Sequence, residues 1–215
     1  MTRQNTAKRL PPWGLAEKRQ AIDAAALTVF GRDGYTRASI DAIAAEAGVS
    51  TRTIYNHFQD KAELFHTVIQ NSSARVAEAQ IAITERYLSS VSDLESDLVE
   101  FGLAWVQPMI TDYPEHFALT RQINAEARHI PRAVIDAWQE TGPQRVEREL
   151  ARHMRRFAEQ GLLHVEDPQR AAVHFLLLIS VANPSFGSPP PSDEELAGVV
   201  TSGVRAFLHG YLSSR

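Results

Sequence analysis

The chain contains no cysteine. That excludes disulfides and thiolate metal sites, and it fits a reducing cytoplasm. Long apolar runs are missing too. The longest, AAVHFLLLISVA (171–182), carries a histidine and falls short of the roughly 20 residues that span a bilayer. The opening stretch MTRQNTAKRLPPWG has no apolar segment, so no secretory signal is expected there. Alternating Val/Ile/Thr-rich runs bounded by turns, the mark of strands, are also absent. No G-x-S-x-G, phosphate-loop or dinucleotide-binding glycine pattern occurs. Together these absences predict a cytoplasmic, all-α protein with no catalytic residues, no metal, no cofactor and no membrane partner.

What is present is an ordinary globular composition. The 215 residues are 44% hydrophobic and 22% charged, ample for a sizeable core. The net charge of −4 argues against nucleic acid until its distribution is read. Residues 1–66 hold nine Lys/Arg against seven Asp/Glu, and the remainder holds 13 against 19. The first third therefore suits phosphate, while the rest repels it.

Helical spacing runs through nearly the whole chain, predicting about nine helices. A first helix spans about 15–33, with Ile22, Ala26, Val29 and Phe30 on one stripe and Gly34 as its stop. Ser39 caps a second helix, ended by Gly48. Ser50 caps a third of about two turns, and Asp60, with Glu63 three residues on, opens a long fourth reaching about Leu88. Further helices are expected at about 93–111, 115–129, 143–160, 168–182 and from an Asp193 cap onward. The break after residue 66 predicts two domains, 1–66 and 67–215.

The segment VSTRTIYNHFQDKAELF (49–65) is the most informative. Two helices joined by Gly48-Val49 form a helix-turn-helix layout, in which the second helix reads the major groove. Ser50, Thr51, Arg52 and Thr53 offer hydroxyls, backbone N–H groups and a positive dipole end to phosphate. Arg52 suits guanine and Thr53 a thymine methyl. Ile54 and Phe58 anchor the short helix, while Tyr55, Asn56 and His57 lie on other faces. Lys61 aims a cation at the same backbone. A polar connector helix is the competing reading of the same spacing.

The stretch FGRDGYTRASIDAIAAEAGVSTRTIYNHFQDKAELF (30–65) resembles the DNA-binding domain of the tetracycline-repressor (TetR) family of bacterial regulators. The likeness rests on Phe30, Gly34-Tyr35, Ser39-Ile40, Ile43-Ala44, Ala47-Gly48-Val49-Ser50, Ile54-Tyr55-x-His57-Phe58, Lys61 and Leu64-Phe65. Residues 115–182 are more loosely similar to the ligand-binding part of one branch of that family. The resemblance implies a two-domain homodimer that binds an operator on double-stranded DNA and releases it on binding a small effector. It carries phosphate contact to Ser39, Thr51, Tyr55, His57 and Lys61, and base-facing positions to Arg52, Thr53 and Asn56. An N-terminal arm with Arg3, Lys8 and Arg9 matches nothing fixed in the family.

Beyond residue 66 the reading is coarser. The helix at 93–111 carries two apolar stripes, so it is expected to be buried on two sides. Phe101, Trp105 and Met109, with Phe117 and Trp138, could line a pocket for an apolar effector, with Arg121 and Asn124 as its polar groups. The same aromatics could equally be plain core. Phe175, Ile179, Val200, Val204, Phe207 and Tyr211 are expected at the homodimer interface. Two E-x-x-H patterns, Glu63/His66 and Glu126/His129, leave a helical metal enzyme or a partner-binding module as the alternative. Glu149 and His153, set among arginines, read as a solvated, salt-bridged face.

Overall fold

The computed structural model describes residues 14–180 and 191–211. The expected N-terminal arm lies outside them. Among the described residues there are ten α-helices, one 3-10 turn and no strand. In order the helices are α1 (Leu15–Arg37), α2 (Ile40–Ala47), α3 (Thr51–Tyr55), α4 (Lys61–Leu88), α5 (Leu94–Thr111), α6 (Pro114–Glu126), α7 (Arg132–Thr141), α8 (Pro143–Glu159), α9 (Pro168–Leu178) and α10 (Asp193–Tyr211). The helix beyond the expected number is α7. Gly142 separates it from α8, and the short amphipathic run before Gly142 forms a helix of its own. None of the described helices is long and apolar enough to cross a membrane.

Local chemistry sets most of the helix ends. Ser39 Oγ accepts from Ala42 N at 3.1 Å, and Ser50 Oγ from Thr53 N at 3.1 Å. Asp60 accepts from Glu63 N at 2.8 Å, and Glu63 returns a bond to Gln59 N. Each satisfies donors that a helix start leaves open. Gly48 ends α2 in the left-handed conformation. α1 is interrupted rather than ended at Gly34, whose φ of 78° no β-carbon residue adopts cheaply. The cap of α10 is Ser192, not Asp193. Its hydroxyl accepts from Glu195 N, and the Glu195 carboxylate accepts from Ser192 N. The bond from Ser192 N–H, together with one from the Ser192 hydroxyl, holds the Glu195 carboxyl below its ordinary pKa.

The chain divides into two compact units. The first holds Met1–Ile69 together with Ala118–Pro131; the second holds Gln70–Phe117 and Arg132–Arg215. This division differs from the simple boundary expected at residue 66, because 118–131 groups with the N-terminal unit. One reason is a carboxylate: Glu126 accepts hydrogen bonds from both the N–H and the hydroxyl of Thr36. In the first unit, Ile22, Val29, Phe30, Ile43, Ile54, Phe58, Leu64 and Phe65 are buried. Phe65 packs edge-on against Phe30 at 4.9 Å and touches Tyr35 at 4.7 Å. The second unit has a separate core from α5, α8, α9 and α10, in which Phe101, Phe157, Phe175 and Phe207 are fully buried.

Candidate nucleic-acid interface and ligand unit

The Ser50 cap gives α3 its geometry. Besides accepting from Thr53 N, the Ser50 hydroxyl shares a 2.9 Å bond with Thr53 Oγ1. Ile54 is fully buried and Phe58 nearly so, and the Arg19 guanidinium lies 4.7 Å above the Phe58 ring. One face of this five-residue helix is therefore fixed to the unit's core. The opposite face presents Arg52, Tyr55 and Asn56 to solvent, Tyr55 at 55% exposure. Thr51, Thr53 and His57 are half-buried, with His57 resting beside Phe58. Ser39 and Ser50 are exposed although both serve as caps. An exposed Arg-Tyr-Asn face on a rigidly held short helix is suited to base edges and phosphates alike.

Lys61 departs from expectation. Its ammonium donates to the carbonyls of Tyr35 (2.9 Å), Ala38 (3.1 Å) and Thr36 (3.5 Å), and it lies 4.8 Å from the Tyr35 ring centroid. A lysine has three N–H donors, and all three are engaged here. Lys61 thus closes the turn between α1 and α2 from inside, leaving its charge but no free donor for phosphate. Sequence spacing gave no hint of this, because the partners lie more than 20 residues upstream.

In the second unit the expected ligand residues separate. Phe101 and Trp105 are buried in the core, 5.5 Å apart, and Phe101 stacks on Phe175 at 5.7 Å. Met109 packs at the edge of that core. Trp138 is buried and Phe117 half-buried against His116. Arg121 and Asn124 are corrected: both are exposed and belong to the first unit. The α6 period puts Leu119 and Ile123 inward and leaves 121 and 124 outside.

The polar groups that are buried in this unit were not foreseen. They include Ser72, Ser73, His116 and His153. Ser72 Oγ lies 2.9 Å from His116 Nδ1. Burial pushes the His116 pKa down to about 4, with the Arg75 charge adding to the effect. A signal was available: Gln70 and Ser73, one turn apart on α4, sit between the buried Ile69 and Val76.

The expected interface residues are corrected as well. Phe175, Ile179, Val200, Val204 and Phe207 are all at most 1% exposed within the single chain. They belong to its own core and offer nothing to a second copy. Tyr211 is half-buried, stacked on Phe207, with its hydroxyl 2.7 Å from His174 Nδ1. The large apolar side chains that α9 and α10 leave in solvent are Leu177 (68%), Leu178 (40%) and Val199 (39%).

Glu85, Glu149 and His153 bring their ligand atoms within 4.8 Å of one another. The Arg152 guanidinium already bonds both carboxylates. His153 is 1% exposed, so it is not part of a solvated face, and desolvation followed by the Arg156 charge lowers its pKa. Elsewhere, the Glu63 and Glu126 carboxylates of the two E-x-x-H patterns bind the backbone at Gln59 and Thr36.

Comparison with known proteins matches two stretches of the chain. Residues 22–68 match the family model "Bacterial regulatory proteins, tetR family", and residues 96–213 match "AefR-like transcriptional repressor, C-terminal domain". The chain is 34% identical over 71 residues to the HTH-type transcriptional regulator AcrR of Shigella flexneri. That match spans only 33% of each protein. Among solved structures, one described as a TetR-family transcriptional regulator from Mesorhizobium loti is 29% identical with a TM-score of 0.77, covering 93% of this chain and 99% of that one. The flavonoid-responsive regulator FrrA is 26% identical with a TM-score of 0.64, covering 93% of this chain and 100% of its own.

Proposed function

The chain belongs to the tetR family of bacterial regulatory proteins, and from that premise we propose that it is a homodimeric repressor whose grip on a palindromic operator is loosened by a small apolar effector. The observation that carries the DNA part is the α3 surface. Arg52, Tyr55 and Asn56 are exposed on a helix whose other face is locked by the Ser50 cap, Ile54 and Phe58. Arg52 reads a base, and Ser39, Thr51, Tyr55 and His57 contribute to phosphate binding. Lys61 supports the reading helix by closing the turn behind it. The relatives named above are regulators, and nothing specific favours a helical metal enzyme.

Dimerisation uses the outer face of α9 and α10, where Leu177, Leu178 and Val199 are exposed. Two-fold pairing of that face would cover all three on both copies. The two reading helices would then meet successive major grooves about 34–36 Å apart. The effector binds in the second unit; one of the similar structures is that of a regulator named as flavonoid-responsive. α4 runs without a break from Lys61 to Leu88, so it supplies residues to both units. An effector acts through it only by preferring the conformation that binds DNA poorly, and coupling of about 1–3 kcal/mol would lower operator affinity about 5–150-fold.

The test is a fluorescence-anisotropy titration against the DNA flanking the protein's own gene, at several salt concentrations. Specific binding with a steep salt dependence is the expected result. Binding indistinguishable from that to unrelated duplex would remove the proposal.

A further inference from the structure

Two donors in the second unit lack an acceptor. Trp138 is 3% exposed, and its indole Nε1–H is buried without a hydrogen-bond partner. The Gln70 amide nitrogen Nε2 is buried in the same condition. The two lie close in the fold. Thr141, one turn beyond Trp138 on the same face of α7, donates its hydroxyl to Gln70 Oε1. One turn beyond Gln70, Ser73 packs so tightly on Gly142 that a β-carbon there would collide with its hydroxyl. The bond from Thr141 holds the Gln70 oxygen against α7. An inverted amide would exchange its oxygen and nitrogen, so the Trp138 donor, which has no such freedom, carries the argument. Buried donors left unpaired are rare in folded proteins. An added group, a water or a ligand oxygen, would supply the missing acceptor.

The surroundings limit what that group is. Among the described residues, the buried polar side chains are Ser72, Ser73, Thr84, His116 and His153, with no carboxylate, lysine or arginine. Burial keeps His116 neutral at pH 7. A charged ligand placed here would find no buried counter-charge, and an unpaired buried charge is strongly disfavoured. We propose that the second unit binds an uncharged small molecule through an acceptor oxygen that takes the Trp138 indole N–H, with the Gln70 amide as the second contact. This rests on the reading of the chain as a ligand-responsive regulator.

Three naphthalenes of nearly equal shape test it: 2-acetylnaphthalene, 2-isopropylnaphthalene and 2-naphthoate. The first has an uncharged acceptor, the second none, and the third a charge. Each is titrated into the full-length protein carrying 15N-labelled tryptophan. The ketone is expected to move the Trp138 indole proton downfield and to bind at least ten-fold more tightly than either analogue. Trp138→Phe, which keeps an aromatic ring without the donor, should abolish the preference of ketone over hydrocarbon. Gln70→Leu should reduce it, and serves alone if the first variant does not fold. Equal binding of hydrocarbon and ketone, an unmoved Trp138 resonance, or no binding by any of the three would overturn the inference and leave the donors to a water.

Anisotropy with operator DNA separates this from the functional reading. If the ketone binds through Trp138 but leaves operator affinity unchanged, the site stands and ligand control fails. Release of the operator by a compound that leaves Trp138 unmoved has the opposite meaning.

Discussion

Glu126 holds Thr36 through two bonds at once. One carboxylate oxygen accepts from the Thr36 backbone N–H at 2.9 Å and from its hydroxyl at 3.2 Å, and the other faces Gly34. A β-carbon at Gly34 would lie 2.5 Å from that second oxygen. Thr36, two residues past the kink of α1, is thus tied to the end of α6. Glu126→Ala should lower stability by about 1.5–3 kcal/mol, the range for a hydrogen bond to a charged group. Gly34→Ala should cost more, because it adds backbone strain of about 1–3 kcal/mol to the collision. The two effects should be non-additive. With Glu126 shortened the collision with its carboxylate vanishes and only the tight contact with Gln122 Oε1 remains, so Gly34→Ala should cost less in that background. Urea denaturation of the four proteins in the cycle measures the difference.

Lys61 and Arg52 should respond differently to mutation. Lys61→Met leaves three carbonyls without their donor and is expected to destabilise the first unit by about 1–3 kcal/mol. The salt dependence of DNA binding should hardly change. Arg52→Ala should leave the melting temperature unchanged, since the side chain is exposed, and should relax base preference by about 1–3 kcal/mol if it reads a guanine. Thermal melts paired with salt titrations distinguish the two. A loss of about one unit of salt slope in the Lys61 variant would show that the ammonium leaves its carbonyls to meet phosphate.

Acid should weaken the fold through His116. Its folded pKa is near 4, against an ordinary 6.5. Between those values the unfolded chain binds a proton that the folded chain refuses, so stability falls as pH drops from about 6.5 toward 4. The loss amounts to at most about 3 kcal/mol. The His153 pKa is lowered as well, and contributes with the same sign. His116→Gln should flatten the slope of melting temperature against pH in that window. A slope equal to that of the unmutated protein would assign the acid sensitivity to other groups.

The outer face of α9 and α10 gives a clean test of assembly. Leu177→Glu places a charge on a side chain that is 68% exposed in the single chain. It should cost the subunit fold less than about 0.5 kcal/mol while shifting sedimentation from dimer to monomer. Phe207→Ala, buried at 1% exposure, should instead cost about 3–5 kcal/mol in stability. A Leu177 variant that stays dimeric would move the interface elsewhere.

Short-range chemistry was readable from the sequence, and long-range partnership was not. The caps at Ser39, Ser50 and Asp60 each span three residues, so residue type and spacing were sufficient. The buried stripe Ile22–Val29–Phe30 followed from helical period alone. The Lys61 carbonyl contacts and the Glu126–Thr36 bonds, 90 residues apart in the latter case, have no local signature. Periodicity also identified Phe175, Val200 and Phe207 as apolar positions needing cover, without saying whether their own unit or a second copy covers them. The core of α5, α8, α9 and α10 does so. The large apolar side chains left for a second copy are therefore Leu177, Leu178 and Val199.

The closed turn behind α3 has a consequence for chemical labelling. The chain has three lysines, Lys8, Lys18 and Lys61, all in its first 61 residues. The Lys61 amine is half-buried against three carbonyl oxygens and the Tyr35 ring, which shields it from bulky electrophiles, so it should resist acylating reagents while the turn is intact. Amine-reactive dyes would then mark the folded protein at its N-terminal end and spare the residue nearest the reading helix. Any treatment that opens the turn would reveal itself as a new acylated peptide around residue 61, readable by mass spectrometry without labelled DNA or a known effector.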